Sequence, residues 1–188
     1  MIKSQVMSIL KVARMGHPIL RQKAKTLTNS EILSDDIKRL IEDMKETMAE
    51  YHGIGLAAPQ VHQSVQLALI GFSDENDRYP EEDPIPIHVL INPVITVLDP
   101  AEQCYWEGCL SVPGLRGLVC RPQKVKIDYL NENAEKKTIE AEGFLATVIQ
   151  HELDHLNGTL YVDRIKHEPG KNHFVFDEEL SRHAQDED

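Results

Sequence analysis

The amino-acid sequence predicts a single α+β domain in which mixed or antiparallel sheets pack around one central helix. The chain of 188 residues has the length of one domain and can bury most of its apolar surface. Two segments have the apolar spacing of helices, four shorter segments have the pattern of strands, and no internal repeat divides the chain. This combination is typical of an α+β domain.

Two segments have helical periodicity. Residues 35–52 carry apolar side chains at i, i+3, i+4 and i+7, with Ser34 as the N-cap and Gly53 as the residue that ends the helix. A second helix is predicted over residues 143–157, before the stop signal Gly158. Its apolar residues flank the sequence His-Glu-Leu-Asp-His, so we expect the central, largely buried helix to carry that motif.

Four segments are predicted to be strands: residues 64–72, 87–97, 124–130 and 137–141. The last two flank the turn sequence Asn131-Glu132-Asn133, so we expect them to form a hairpin. Between the first two lies an acidic, proline-containing stretch, residues 74–84, which we interpret as a solvent-exposed loop.

The ends of the chain are predicted to lie outside the core. We interpret residues 1–188 as one domain with a short N-terminal extension, residues 1–6, and a polar C-terminal tail, residues 167–188. The last turns of this charged tail are expected to be mobile. Residues 1–33 show no clear period, so we expect them to wrap around the domain.

Charge and apolar content exclude two classes of partner. The chain has 31 acidic against 20 basic residues, a formal net charge of −11, which argues against a broad phosphate-binding face and a nucleic-acid substrate. The N-terminus lacks the apolar core of a secretory signal, and no apolar stretch is long enough to span a membrane. We therefore expect a cytoplasmic protein.

The three cysteines are Cys104, Cys109 and Cys120. They form neither an even set nor a C-x-x-C pair, so the sequence predicts neither a disulfide framework nor a structural zinc knuckle. A reducing compartment is implied.

The motif at residues 151–155 places His151 and His155 four residues apart, on one face of the predicted helix. Both imidazoles can reach one metal ion, and Glu152 lies beside that ion. A metal lowers the pKa of bound water, and the carboxylate can take its proton and pass it to a leaving amine. The alternative is a chance match with solvated side chains, but two histidines and an acid on a buried helix are costly without partners. The residues indicate a metal-dependent amide hydrolase.

The sequence offers more than one candidate for the third metal ligand. The longer pattern of certain zinc endopeptidases would place a histidine where this chain has Tyr161. A downstream carboxylate, Glu178 or Glu179, lies in a polar tail with little to fix it. Cys109 is favoured, because it has no disulfide partner nearby in sequence, although a lone cysteine is often ordinary core. One cysteine and two histidines suit zinc, iron, nickel or cobalt.

Three segments now stand in order along the chain: Gly-Ile-Gly-Leu-Ala-Ala-Pro-Gln at residues 53–60, Glu-Gly-Cys-Leu-Ser at residues 107–111 and Gln-His-Glu-Leu-Asp-His at residues 150–155. With these segments the chain resembles the peptide deformylase family, and the similarity extends less tightly over residues 9–163. The resemblance implies a metallohydrolase domain that removes the formyl group from the N-terminal formylmethionine of nascent polypeptides and releases formate. It also implies that Cys109, His151 and His155 hold the metal.

The resemblance assigns further site residues. The Gln60 side-chain amide and the Leu110 backbone N–H would donate to the oxyanion as water adds to the formyl carbon. Gly55 would let the peptide main chain pair with the protein in a strand-like manner. Glu107 would anchor the Cys109 loop, by pairing with either of two arginines, Arg116 or Arg121. Candidates for the apolar pocket that takes the methionine side chain are Ile54, Phe144 and Val148.

The resemblance also bears on cofactor and partners. The implied cofactor is one divalent metal ion, ferrous iron in the cell, with zinc, nickel or cobalt as alternatives. The implied partners are N-formylmethionyl nascent peptides, with at most transient contact with the ribosome, because the short acidic C-terminus lacks a basic docking helix. Nucleic acid and membranes are not expected partners, and the sequence does not determine the oligomeric state.

Two other functions remain open. One is a small endopeptidase that uses Glu178 or Glu179 as its third metal ligand. The other is a catalytically silent binding protein that keeps the metal for stability alone.

Overall fold

The computed structural model describes residues 8–72, 84–166 and 172–180 of the chain. In chain order the strands are β1 (Gly55–Ala57), β2 (Leu67–Phe72), β3 (Ile85–Cys109), β4 (Val112–Leu130), β5 (Lys136–Glu142) and β6 (Phe174–Phe176). The helices are α1 (Asn29–Ile32), α2 (Asp35–Glu50) and α3 (Gly143–Leu156). Short 3-10 turns lie at Pro18–Arg21, Ala58–Val61 and Tyr161–Asp163.

The described strands form one antiparallel sheet in the order β1-β2-β3-β4-β5, with β6 paired to β4. Helix α3 contacts the first five strands. Its residues Val148, Ile149 and Leu153 pack against sheet residues that include Ile70 and Ile127. The predicted α+β domain with a central motif-bearing helix is therefore confirmed, with an antiparallel rather than a mixed sheet.

Helix α2 packs its apolar stripe on the same sheet, with Met44 and Met48 in one cluster with Leu69. Its start is as predicted, because the Ser34 hydroxyl accepts a hydrogen bond from the Ile37 N–H at 3.3 Å. Its end was predicted two residues too late. The residue in the left-handed region is His52 (φ 50°), and the following Gly53 N–H closes the helix by donating to the Met48 carbonyl at 2.8 Å.

Strands β3 and β4 form a hairpin far longer than the predicted segments 87–97 and 124–130. Residues 102–108 pair with residues 116–122, a part of the hairpin that no strand prediction covered. Most side chains there are only partly buried, so no alternation of apolar and polar residues marks the strands. The pairing between β3 and β4 defines this part of the two strands instead.

The prediction of no disulfide was wrong. Cys104 lies directly opposite Cys120 in the β3–β4 register, and the two thiols form a disulfide across 16 residues of sequence. Counting three cysteines could not reveal this pair, because only the long hairpin brings the two side chains together. Cys109 is the remaining free cysteine, and it is buried.

The described part of the N-terminal segment, residues 8–33, wraps around the domain, as predicted, through backbone hydrogen bonds. The Ala13 N–H donates to the Gln60 carbonyl, the Met15 N–H to Ser111, and the Ala24 N–H to Leu156. At the other end β6 was not predicted, because its three residues are too few to show a period. Residues 1–6, the acidic stretch 74–83 and the chain end beyond residue 180 lie outside the described residues. Within the described part, no helix is both long and apolar enough to cross a membrane.

Candidate metal centre

Two elements bring the three candidate metal ligands together. Cys109 is the last residue of β3, and His151 and His155 lie one turn apart on α3. Their possible ligand atoms all lie within 4.8 Å of one another, and Cys109 Sγ is 3.3 Å from His155 Nε2. All three residues are buried. In the described part of the chain this is the one such cluster of three or more histidine, cysteine or acidic residues.

The chemistry of this donor set fits a divalent metal ion. Burial alone would raise the pKa of the Cys109 thiol, but His155 and His151 lower it well below its usual value. A buried thiolate beside two imidazoles is a donor set that would suit a borderline-soft ion. Such a cluster is costly to bury without a cation that all three share. The residues present therefore fit one bound metal.

A carboxylate fixes the orientation of His151. The Nδ1 atom of His151 lies 2.7 Å from Glu107 Oε2, so the Nε2 atom of His151 remains available to bind the metal. Burial would raise the pKa of Glu107, but hydrogen bonds from His151 and Arg121 lower it to about 2. Of the two arginines that the sequence offered, Arg121 is the partner, with Nε donating to Glu107 Oε1 at 2.6 Å. Arg116 instead pairs with Asp177.

The ion-pair network continues away from the metal centre. Arg121 also donates a hydrogen bond from Nη1 to Asp154 Oδ2 at 2.8 Å. Asp154 forms a second ion pair with Arg164. Glu107, Arg121 and Asp154 are all buried, so each charge needs the others. The role of Asp154 was missed in the sequence. The sequence did contain a signal for this role, because Asp154 is a charged residue in a helix that was predicted to be largely buried.

Tyr161, which stands where certain zinc endopeptidases have a third histidine, is not a ligand. Its ring stacks on His151 with centroids 5.9 Å apart and an interplanar angle of 19°. Its hydroxyl donates to the Leu115 carbonyl at 2.9 Å. Glu178 and Glu179 do not belong to the ligand cluster either, so nothing in the described chain favours the endopeptidase interpretation.

Glu152 lies in the same cleft as Cys109 and His151. It is buried, and its Oε2 has no hydrogen-bond partner among the described residues. Burial raises the pKa of Glu152 to about 7, against the lowering influence of His151 and His155. An unpaired buried carboxyl group with this pKa can both accept and release a proton near neutrality.

Gln60 is held by the turn that contains it. Its Oε1 accepts a hydrogen bond from the Ala57 N–H at 2.8 Å, which turns Nε2 toward Cys109 Sγ at 3.5 Å and Ser111 Oγ at 3.3 Å. Leu110 lines the same cleft, and its carbonyl accepts a hydrogen bond from Arg14. Ser111 was not singled out in the sequence, although it closes the second motif.

The cleft walls include the predicted catalytic, substrate-binding and metal-ligating residues except His155, which is buried and does not line the cleft. One wall is a face of α3 with residues at i, i+3, i+4 and i+7, namely Phe144, Thr147, Val148 and His151. Thr147 was missed, although this spacing from His151 could have identified it. The remaining lining residues are Gly53, Ile54, Gly55, Gln60, Tyr105, Trp106, Glu107, Gly108, Cys109, Leu110 and Glu152.

Comparison with known proteins identifies the family that shares this site. The family model described as polypeptide deformylase matches residues 9–170. The chain belongs to the polypeptide deformylase family. It is therefore a metal-dependent hydrolase that removes the N-formyl group from nascent polypeptides, in agreement with the sequence analysis.

Individual relatives are similar over most of their length. The chain is 47% identical over 160 residues to a peptide deformylase of Leptospira biflexa, covering 85% of this chain and 89% of that one. It is 44% identical over 155 residues to peptide deformylase 1 of Bordetella pertussis, covering 82% and 86%.

Solved deformylase structures have the same fold. The class I type b peptide deformylase from Acinetobacter baumannii, solved with Met-Ala-Ser bound, superposes with a TM-score of 0.80 at 38% identity, covering 85% of this chain and 99% of that one. The enzyme from Synechococcus elongatus, in complex with actinonin, gives a TM-score of 0.74 at 40% identity, covering 85% and 80%.

Proposed function

We propose that Cys109, His151 and His155 hold the metal with which this protein removes formyl groups from N-terminal formylmethionine, and that Glu152 transfers the protons. One observation carries the proposal: the three ligand atoms converge within 4.8 Å beside an unpartnered buried carboxyl group. A divalent ion held by these three residues would supply Lewis acidity, which would polarise the formyl carbonyl and lower the pKa of water. The reaction adds water to the formyl carbon, breaks the C–N bond and yields formate and a free amine.

Glu152 moves the protons in this proposal. Its carboxylate takes a proton from the attacking water and gives it to the leaving nitrogen, so the residue ends each cycle as it began. The pKa of about 7 to which burial raises Glu152 supports this role, because a group with that pKa serves as base and then as acid near neutral pH. Its unpartnered Oε2 is free of competing protein donors among the described residues.

Gln60 and Leu110 stabilise the oxyanion that forms as water adds. The Ala57 N–H holds the Gln60 amide in one orientation, with its donor group toward Cys109. A donor positioned in advance stabilises developing charge without reorganising during the reaction. The Leu110 backbone N–H is the second proposed donor, because Leu110 directly follows the ligand Cys109 and lines the cleft.

The peptide main chain is proposed to bind along β1, beside Gly55, with Ile54 in the side-chain pocket. β1 stands at one end of the described strand order, and β2 is its only described strand partner. Its other edge can therefore pair with an extended peptide by strand addition. Ile54 and Gly55 both line the cleft that contains Glu152, which supports this path.

The proposed ion is ferrous iron, supported by the thiolate and imidazole donors, which also accept zinc, nickel or cobalt. The proposed location is the cytoplasm, where nascent chains are made, with at most transient ribosome contact. The Cys104–Cys120 disulfide does not support a reducing compartment, because structural disulfides are rare there.

The test is release of free amine from N-formyl-Met-Ala-Ser by anaerobically purified, metal-assayed protein, with Glu152→Ala beside it. We choose this peptide because its deformylated form, Met-Ala-Ser, is bound in the solved structure of the Acinetobacter baumannii relative. We expect turnover by the wild type, and a variant that keeps the metal but loses activity. If metal-loaded wild type leaves the peptide formylated, the silent binding protein becomes the better interpretation. Cleavage of an internal peptide bond would instead support an endopeptidase.

A further inference from the structure

Tyr161 links the two parts of the fold that carry the candidate metal ligands. It begins the 3-10 turn that follows α3, and the residue is only 1% exposed. Its ring stacks on the His151 imidazole with an interplanar angle of 19°. Its hydroxyl donates a 2.9 Å hydrogen bond to the Leu115 carbonyl on β4. One side chain therefore contacts a ligand on α3 and the strand that pairs with the Cys109 end of β3.

The backbone of β4 leaves room for this ring at Gly117, which lies directly opposite Glu107 in the β3–β4 register. A Cβ built on Gly117 would lie 2.8 Å from Tyr161 Cε2 and 2.5 Å from Ile165 Cδ1. Gly117 is not among the described glycines with positive φ, so the close approach of these side chains, not the backbone conformation, requires glycine. The Tyr161 ring is therefore packed against the hairpin as well as against His151.

Two contacts restrain the His151 imidazole in different directions. The contact between its Nδ1 and Glu107 Oε2, at 2.7 Å, acts in the plane of the ring. The Tyr161 ring covers one face of the imidazole and opposes tilting out of that plane. A histidine binds a metal well only when its lone pair points at the ion, and contacts beyond the ligands hold that direction. Tyr161 thus supplies a restraint that Glu107 does not.

We infer that Tyr161 is a positioning residue for the metal centre. Its ring holds the His151 imidazole, and its hydroxyl ties that imidazole to the hairpin that carries Cys109. This inference rests on the ligand set of the proposed function. Removing the ring frees the imidazole to tilt, so metal affinity should fall roughly tenfold. Removing the hydroxyl alone leaves the ring stacked and should lower the affinity by about threefold or less.

The experiment uses cobalt(II)-loaded protein, because the visible absorption of cobalt bound to a thiolate and imidazoles reports the geometry of the ligands. Tyr161→Leu removes the ring, and Tyr161→Phe keeps it. We expect Tyr161→Leu to shift the cobalt spectrum and to weaken cobalt binding roughly tenfold in competition with a chelator. Tyr161→Phe should keep the wild-type spectrum, because its ring still covers His151.

A second set of variants displaces the ring without removing it. Gly117→Ala places a methyl group against Tyr161 and Ile165, and adding Ile165→Val removes the Cδ1 atom that this methyl group would meet. The double variant should shift the cobalt spectrum as Tyr161→Leu does. Ile165→Val alone is its matched control and should keep the wild-type spectrum. If Tyr161→Leu does not fold, the double variant decides by the same criterion.

Ile32→Ala separates positioning from stability. Ile32 is fully buried in the apolar cluster of α1 and α2, which does not include Tyr161. Its truncation should lower the midpoint of thermal unfolding without changing the cobalt spectrum or affinity. If Tyr161→Leu loses stability in the same way but keeps the wild-type spectrum and affinity, Tyr161 is ordinary core and the inference is overturned alone. Wild-type protein that binds no cobalt overturns the proposed ligand set, and this inference with it.

Discussion

The Glu152 side chain occupies the space where a side chain at Gly55 would stand. A Cβ built on Gly55 would lie 2.7 Å from Glu152 Cδ and 2.8 Å from Cγ. Gly55 is not among the glycines with positive φ, so its backbone conformation does not itself require glycine. The glycine of the first motif is needed here because the carboxylate of the third motif packs against it.

Gly55→Ala should therefore displace the Glu152 carboxylate while leaving the metal ligands in place. We expect a loss of roughly 100-fold in kcat, because catalytic groups lose efficiency when misplaced by about 1 Å. The measurements are steady-state kinetics and metal content. Gly53→Ala is the matched control, since a Cβ there would meet the flexible side chains of Leu110 and Met48 at 3.3 Å and the Gly55 carbonyl oxygen at 3.4 Å, an ordinary contact distance. Equal activity losses in both variants would contradict the proposed packing role.

Glu107→Gln should weaken both metal binding and folding. It removes the charge that orients His151 and pairs with buried Arg121. We expect a 10- to 100-fold loss of metal affinity by chelator competition, and about 3 kcal/mol of destabilisation in urea. The control is Lys166→Ala, which breaks the exposed pair with Glu102 and should change stability by less than about 1 kcal/mol. Wild-type metal affinity in Glu107→Gln would refute the orienting role.

The disulfide should stabilise the β3–β4 hairpin. Closing a loop of this length, with a separation of 16 residues, contributes about 3 kcal/mol in the chain-entropy description. Cys104→Ser and Cys120→Ser should each lower the free energy of unfolding by about 2–3 kcal/mol. Adding a reductant should bring the wild type to the level of the variants. Alkylation of the unreduced, unfolded protein followed by mass spectrometry should label Cys109 alone. Three labelled cysteines would show that the disulfide is absent from the purified protein.

Air should inactivate the iron-loaded enzyme, because a thiolate bound to ferrous iron is readily oxidised. We expect activity to fall on exposure to oxygen, with oxidation of Cys109 detectable by mass. Protein loaded with zinc or nickel provides the control and should keep its own activity level in air. An iron-loaded form that stays active and unmodified in air would count against ferrous iron as the ion used.

Helices α2 and α3 could be predicted from the sequence because their signals are local. Apolar spacing, the Ser34 cap and the stop at Gly158 all act within one or two turns. The same locality placed His151 and His155 on one face. Sequence patterns failed where pairing alone defines a structure, as in the long β3–β4 hairpin, the edge strand β1 and the short strand β6.

The sequence by itself therefore determined the fold class, the family motifs and the residues that could bind a metal. Only the tertiary structure decided which residues are partners. Glu107 pairs with Arg121 rather than Arg116, and Cys104 forms a disulfide with Cys120. The Glu152 side chain packs against Gly55. The physical reason is distance along the chain. Helix periodicity repeats within a few residues, whereas each of these contacts joins separate elements whose register is set by the packing of the whole sheet.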